Sequence, residues 1–330
     1  MAGEVWVFAE HQAGALKKTT LELLGKGREL AKAMGVEMAT LLLGSGIDNL
    51  AAALIAYADK IYQWDDPLVA HYNSDVYLEV IADYAEKEKP QIILAGATAL
   101  ARDLFPRVAG RLQTGIAVDC LGLELADNGL LKARRPLFGG KVLVDVVCRH
   151  GRLQIALARP NSFPLPDAHG SLKGTIVPLG VAVDRAKVRL EVLEVIRVPK
   201  ERLDLTEAEI IVTGGGGMKS AANFSLLERL ADLLGATVGA TRGAVDNGWR
   251  PPGDLIGKSG KTVSPKLYFA VGLSGAIHHV MGMDTSKKVV AINMDPRAPI
   301  FNYADYGIQG DLFEVIPLLI DELKKGLGKH

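Results

Sequence analysis

KLYFAVGLSGAIHH, Lys266 to His279, is the stretch whose reading decides the fold. Leu267 to Gly272 are mostly apolar and β-prone, and they run through Leu273, Ser274 and Gly275 into a helix-competent Ala-Ile-His-His-Val. That succession predicts a buried parallel strand ending in a tight turn at a helix N-terminus. Helix N-termini present unpaired N–H groups and a positive dipole end, so such a turn suits an anionic or carbonyl-rich ligand. Ser274 would add a hydroxyl, and Gly275 would let the ligand approach the backbone. The plainer alternative is an ordinary strand-to-helix connection with two surface histidines, because short Gly/Ser turns are weakly specific.

The flanking sequence repeats the rhythm. EIIVTGGGG (Glu209 to Gly217) reads as a strand feeding a glycine turn, Asn223 to Leu234 as a helix, and ATVGATR (Ala236 to Arg242) as a short strand. A Gly/Pro-rich loop runs from Asp246 to Gly260. After the opening stretch come the strand KVVAINMD (Lys288 to Asp295), a loop with Pro296 and Pro299, and a helix from Leu312 to Leu327 with Pro317 in its first turns. Each parallel strand here ends in small or polar residues: Gly214 to Gly217, Thr241 and Arg242, Gly272 to Gly275, Asn293. The carboxyl ends of open α/β sheets converge on one ligand-binding crevice, so glycine at several of them points to a nucleotide-type ligand.

Upstream, VWVFAE (Val5 to Glu10), VEMATLLLG (Val36 to Gly44), DKIYQW (Asp59 to Trp64) and QIILAG (Gln91 to Gly96) read as strands. They alternate with helices at Gly14 to Met34, Asp48 to Tyr57, Ser74 to Glu88 and Ala99 to Leu112. This is the pattern of a parallel sheet covered on both faces. No G-x-G-x-x-G follows the first strand, so the ordinary dinucleotide fingerprint is absent from this half. VDCLGLEL, LLKARRPLF, KVLVDVVC and LQIALAR are then β-rich runs separated by Asn128-Gly129, Gly139-Gly140 and His150-Gly151, which are hairpin signals. Antiparallel strands extending the sheet are expected there. Pro160 to Gly180 reads as a linker or crossing segment, VRLEVLEVIRV (Val188 to Val198) as an alternating strand, and the domain boundary falls near Pro199.

Composition narrows the function. With 330 residues, 48% hydrophobic and 23% charged, the chain has ample core for two domains. The net charge is zero, and each half is balanced to within one charge, which argues against nucleic acid or an anionic membrane as partner. Cys120 and Cys148 lack metal or redox spacing and read as buried free thiols of a reducing compartment. No apolar run is long enough for a membrane span, and a strand beginning by Val5 leaves no room for a leader, so a cytoplasmic protein is expected.

Three segments carry a family resemblance: GGGGMKSAANFSLLERLADLLGATVGATRGAVD, PPGDLIGKSGKTVSPKLYFAVGLSGAIHH and VVAINMDPRAPIFNYADYGIQGDLFEVIP. They resemble the C-terminal FAD-binding domain of the electron-transfer flavoprotein alpha subunit. VWVFAE and LAGATALARDLFPRVAGRLQTGIAVDCLGLE are similar to that subunit's first domain, so the resemblance covers nearly the whole chain. Its most specific part is the ordered block from Gly257 through Asp311. The fold it implies is α/β with two doubly wound domains: an N-terminal, partner-contacting α/β domain with extra antiparallel strands (1–198), and a C-terminal parallel-sheet FAD-binding domain (199–330).

The resemblance also implies roles. The cofactor-binding set would run from Gly216 through Thr241 and Arg242, the loop Ile256, Gly257, Lys258 and Ser259, and the turn Ser274, Gly275, Ala276, Ile277, His278 and His279, to Asn293, Asp311 and Leu312. Arg242 would lie against the isoalloxazine and favour its anionic reduced form; taken alone it reads as a surface arginine capping a helix. Ser259 would donate to flavin N5; taken alone it is a turn residue. Ser274 to His279 would wrap the pyrophosphate and reach the ring, with His279 at the N1/C2-carbonyl edge as donor or imidazolium. Asn293 and Asp311 would bind the adenosine end, the carboxylate taking ribose hydroxyls, and Leu312 would pack on adenine. The chain departs from the family pattern at Gly216, where arginine is usual, and at Lys258 and His278, where glutamine is usual. A pyrophosphate contact would then be lost or supplied elsewhere, and the flavin potential would differ.

A carrier is therefore implied: a heterodimer with a beta subunit that completes the flavin site, covers apolar surface on the first domain and holds AMP or a second FAD. A flavin-dependent acyl-CoA-type dehydrogenase or similar redox partner would supply electrons. RRPLFGGK (Arg134 to Lys141) resembles the form of this loop in electron-bifurcating members, and the Pro/Gly-rich stretch at 160–180 would permit domain rotation between partners. No catalytic triad, metal cluster or acid/base pair emerges, which suits a carrier. Two rivals stand: an NAD-dependent enzyme, although the zinc-binding cysteine quartet of sirtuin-like deacylases is absent, and a non-redox adenine-nucleotide-binding protein using the first domain.

Overall fold

Where an apolar run has no polar alternation, a strand must be covered on both faces, and most strands of this chain read that way. The computed structural model describes residues 3–138, 140–149, 151–167, 173–196 and 203–328. They group into two compact units, Met1–Leu137 with Leu143–Val198, and Phe138–Val142 with Pro199–His330.

The first unit contains, in order, β1 (Val5–Phe8), the two-residue strands β2 (His11–Gln12) and β3 (Ala15–Leu16), α1 (Lys18–Met34), β4 (Met38–Gly44), α2 (Asp48–Leu54), β5 (Lys60–Asp65), α3 (Ser74–Glu88), β6 (Ile92–Gly96), α4 (Ala99–Arg111), β7 (Ile116–Cys120), β8 (Gly122–Leu125), β9 (Leu131–Leu137), β10 (Val142–Val147), β11 (Gln154–Ala158) and β12 (Thr175–Pro178). Seven strands form one sheet in the order β12-β5-β4-β1-β6-β11-β7. Successive β1 residues serve opposite layers: Trp6 and Phe8 pack with Leu41, Tyr84 and Phe105, and Val5 and Val7 with Leu23, Leu42 and Ala51. The third and fourth helices start where side chains accept the free N–H groups. Asn73 accepts from Asp75 N and Val76 N ahead of α3, and Thr98 Oγ1 from Ala101 N ahead of α4.

Four sequence expectations need correction here. Gln154–Ala158 does not close a hairpin; it lies between β6 and β7, parallel to both and buried throughout, as its unbroken apolar run requires. β8 and β9 pair antiparallel and, with β10, form a separate three-stranded sheet that does not extend the large one. Within the stretch read as a linker, Thr175–Pro178 pairs in parallel with β5 as an edge strand. Val188–Ile196 alternates in sequence but forms no strand: Arg189 N donates to Asp75 Oδ2 at 3.0 Å and Leu190 O accepts from Asn73 Nδ2 at 2.9 Å, side chains at the start of α3 instead of a neighbouring strand; positions 197 and 198 lie outside the described residues. Of the two free thiols, Cys120 is buried and Cys148 only half-buried.

One buried group in this unit makes a prediction. Glu22 on α1 is 1% exposed; Oε1 accepts from Asn161 N at 3.2 Å, and Oε2 has no hydrogen-bond partner. Burial pushes its carboxyl up to about 7, against the pull of the Lys18 ammonium. A pKa raised on folding stabilises fully below the unfolded value of 4.5, and that contribution is lost as pH rises through 7. Glu22→Gln, which stays neutral, is therefore expected to slow amide exchange of α1 and β1 at pH 8, by about 1–2 kcal/mol. The gain should vanish at pH 5; an equal gain at both pH values would show the carboxyl titrating normally.

The second unit contains β13 (Ile210–Gly214), α5 (Phe224–Leu234), β14 (Thr237–Ala240), α6 (Arg242–Asp246), β15 (Leu267–Val271), α7 (Ile277–Val280), β16 (Val289–Asn293), β17 (Tyr306–Gln309) and α8 (Leu312–Leu327). All five strands are parallel, in the order β14-β13-β15-β16-β17. Phe269 and Val271 of β15 pack beneath α5 and α8, while Tyr268 and Ala270 pack on the other face with Leu273, Met283 and Ile300. β17 escapes the sequence reading because YGIQ is short and exposed throughout, an edge strand with no apolar face to betray it.

Candidate functional site

The chain leaves β13 for β14 on one side and returns to β15 on the other. The strand order therefore reverses between β13 and β15, and a crevice opens at their carboxyl ends. Both ends turn on glycine, and the turns pack on each other: Gly215 N donates to Val271 O at 3.1 Å and Gly217 N to Gly272 O at 2.8 Å. A Cβ on Gly217 would stand 2.8 Å from Gly272 Cα, whereas one on Gly216 would meet nothing within 4 Å. Gly217 is thus demanded by the protein's own backbone, and Gly216 alone faces open space. Gly275 is also demanded by the chain's own backbone: with φ +80°, its missing Cβ would lie 2.3 Å from Ile300 N, while the residue still lines a cavity of the crevice. The helix after this turn, α7, is one turn long, so the expected helix-dipole site reduces to a few N–H groups.

Two cavities sharing Gly216 and Ser274 line up along the crevice. The larger, about 470 Å³, is lined by Thr241, Arg242, Ile256, Gly257, Ser259, Gly275, Ala276, His278 and His279 among the anticipated residues, and by Gly243, Leu255 and Leu273, which were not anticipated. The smaller, about 380 Å³, brings in Asn293, Asp311 and Leu312, together with the unanticipated Lys219, Met294, Asp295, Ala298, Pro299 and Gly310. Lys258 and Ile277 line neither cavity; both are exposed. Lys219 had a signal in sequence, a basic residue two positions after the last glycine of the turn. Leu255 and Leu273 had none, being ordinary apolar residues.

In the larger cavity Arg242 opens α6, and its Nη2 donates to Ser259 Oγ at 2.7 Å. Arg242 Nη1 also lies 3.6 Å from Asp246 Oδ1, an exposed pair that holds little energy. The loop bearing Ser259 is pinned by Ile256 N to Ala240 O at 3.0 Å and Lys258 N to His278 O at 2.7 Å. The two histidines separate sharply. His278 is exposed, while His279 is 7% exposed; its Nδ1–H donates to the Ile256 carbonyl at 3.0 Å and its Nε2 accepts from the Tyr268 hydroxyl at 2.9 Å. The carbonyl can only accept, which fixes the tautomer. Burial pulls the imidazole down to about 4, which favours the neutral ring at pH 7.

In the smaller cavity Asn293 Nδ2 donates to Leu273 O at 2.8 Å and its Oδ1 accepts from Asp295 N at 3.0 Å, tying β16 to the turn after β15. Asp311 caps α8, accepting from Phe313 N at 2.9 Å. Leu312 is 5% exposed and sits against Gly272.

Glycine turns at a switch point, an elongated two-part crevice, a guanidinium–hydroxyl pair at one end and a carboxylate at the other define an α/β protein of the dinucleotide-binding class. Comparison with known proteins narrows the class: the chain belongs to the electron transfer flavoprotein alpha-subunit family. The model of the electron transfer flavoprotein domain matches residues 5–184, and that of the electron transfer flavoprotein FAD-binding domain matches residues 204–284. The electron transfer flavoprotein subunit alpha of Thermoanaerobacterium thermosaccharolyticum is 42% identical over 98% of both chains. Protein FixB of Clostridium saccharobutylicum is 44% identical over 97% of this chain and 96% of its own. The lactate dehydrogenase (NAD(+),ferredoxin) subunit LctC of Acetobacterium woodii is 39% identical over 96% of this chain and 76% of its own. No helix among the described residues is long and apolar enough to cross a membrane.

Proposed function

We propose that the crevice of the C-terminal domain, residues 199–330, binds FAD, and that the chain is the alpha subunit of a heterodimeric electron carrier. The isoalloxazine would take the larger cavity and the adenosine the smaller. The observation that carries this reading is the Arg242–Ser259 pair at one end of a continuous crevice that reaches Asp311 and Leu312 at the other. The donor set fits: Gly216 leaves room for a ligand backbone, Ser274 stands where both cavities meet, and Asp311 offers carboxylate oxygen to hydroxyl groups. FAD, when bound, would supply electron-transfer chemistry that no side chain of this crevice provides. The protein's share is to hold a positive guanidinium and a hydroxyl donor beside the ring, and to keep His279 neutral behind it.

Residues 1–198 would contact a beta subunit holding AMP or a second FAD, and a flavin-dependent dehydrogenase of the acyl-CoA type, or a similar one, would be the electron source. An electron-bifurcating form of the same reading is supported by LctC, whose name joins NAD(+) and ferredoxin, and by the loop RRPLFGGK. Purifying the chain with its partner subunit and counting flavins per heterodimer tests both levels. Yellow protein with one FAD is expected for a simple carrier and two for a bifurcating one. A colourless, folded heterodimer that refuses added FAD but binds NAD or ATP would replace this reading with its rivals.

A further inference from the structure

Lys219 follows Met218 after the glycine run that ends β13 and holds φ +65°, in the left-handed region. Glycine occupies that region freely and lysine does not, so the sequence keeps an unfavourable residue two positions beyond a run of four glycines. Such a conformation persists where its surroundings hold it, and it clusters at ligand-binding sites. The ammonium lies 5.2 Å from the centroid of the Phe313 ring, on the first turn of α8, and pairs with no carboxylate among the described residues. Lys219 is the only basic residue lining the smaller cavity, which also holds the carboxylates of Asp295 and Asp311. A phosphate group entering there would meet two negative charges and a single positive one.

We propose, resting on the FAD reading above, that Lys219 is the phosphate-binding cation of the crevice. Its ammonium, steadied over Phe313 and set by the left-handed turn, pairs with the phosphates linking the two ends of the dinucleotide. Gly216, beside it, brings space but no charge, and Arg242 is committed to the far cavity through Ser259.

The test is Lys219→Gly, which removes the ammonium and suits the φ of the turn, set beside Lys219→Arg, which keeps the charge. FAD, ADP and riboflavin are titrated into the full-length apoprotein. The glycine variant should weaken FAD and ADP alike by about 10- to 100-fold, the range of a charge-assisted contact, and lose part of their salt dependence. Riboflavin affinity should not move, the arginine variant should retain most FAD affinity, and thermal stability of the apoprotein should not fall. Unchanged FAD and ADP affinity in the glycine variant would overturn the proposal, as would an equal loss of riboflavin, which marks a structural role. Wild-type protein that binds ADP but not FAD would sink the flavin reading while the ADP arm still decides Lys219; binding neither would end both.

Discussion

Gly275→Ala is expected to destabilise the second unit by about 3 kcal/mol or more and to empty the crevice of flavin, summing a left-handed backbone for a residue with Cβ and a clash in a packed core. The residue holds φ +80°, and its added methyl would stand 2.3 Å from Ile300 N and 2.5 Å from Ile300 Cα. Neither atom can swing away as a side-chain tip would. Ile300 is itself fully buried, and its N–H donates to Ser274 O at 3.0 Å, so relief would break the bond that holds Ser274 at the junction of the two cavities. Gly216→Ala is the control, because its methyl meets nothing within 4 Å. Amide exchange across 267–300 and FAD content of the purified protein report both. Equal tolerance of the two substitutions would show that the turn after β15 is less constrained than its geometry states.

That contrast shows what could be read from residues alone. Glycine clusters at the carboxyl ends of β13 and β15 place the crevice, because strand order and turn chemistry leave them few other positions. Which glycine serves a ligand and which serves the chain cannot be read that way, since Gly216 and Gly217 are the same residue type in the same turn and differ only in what faces their missing Cβ. Periodicity misled at β11, where QIALA is buried on both faces and a neighbouring Gly151 turn suggested a hairpin. It misled again at Val188–Ile196, because alternation gives a segment the capacity to be a strand and only a neighbour's edge makes it one. The histidine pair is the sharpest case. His278 and His279 are adjacent and chemically equal, yet one faces solvent and the other lies between Tyr268 and the Ile256 carbonyl. Tyr268 is set there by strand pleating from a residue eleven positions away, which no local spacing reports.

The buried imidazole also sets an acid limit on the second unit. His279 takes its proton at about 4 when folded, against 6.5 when exposed, so between these values the unfolded chain binds a proton that the folded chain refuses. Stability from this group is complete above pH 6.5 and is lost as pH falls through 4, by about 3 kcal/mol in all. Glu22 acts in the opposite sense in the first unit, its contribution growing as pH falls from 7 towards 4.5. Mild acid should therefore loosen the two units unequally, and amide exchange between pH 7 and 4.5 should quicken in β15 and α7 relative to β1 and α1. His279→Gln is expected to remove that acid-dependent quickening. Tyr268→Phe should shrink it, because an Nε2 that no longer accepts from a hydroxyl takes its proton more readily in the folded chain, which narrows the gap to the unfolded value. Nitrogen chemical shifts of labelled histidine give an independent reading: His279 should report a neutral ring carrying its proton on Nδ1 at pH 6, and an imidazolium at that pH would remove the basis for both effects.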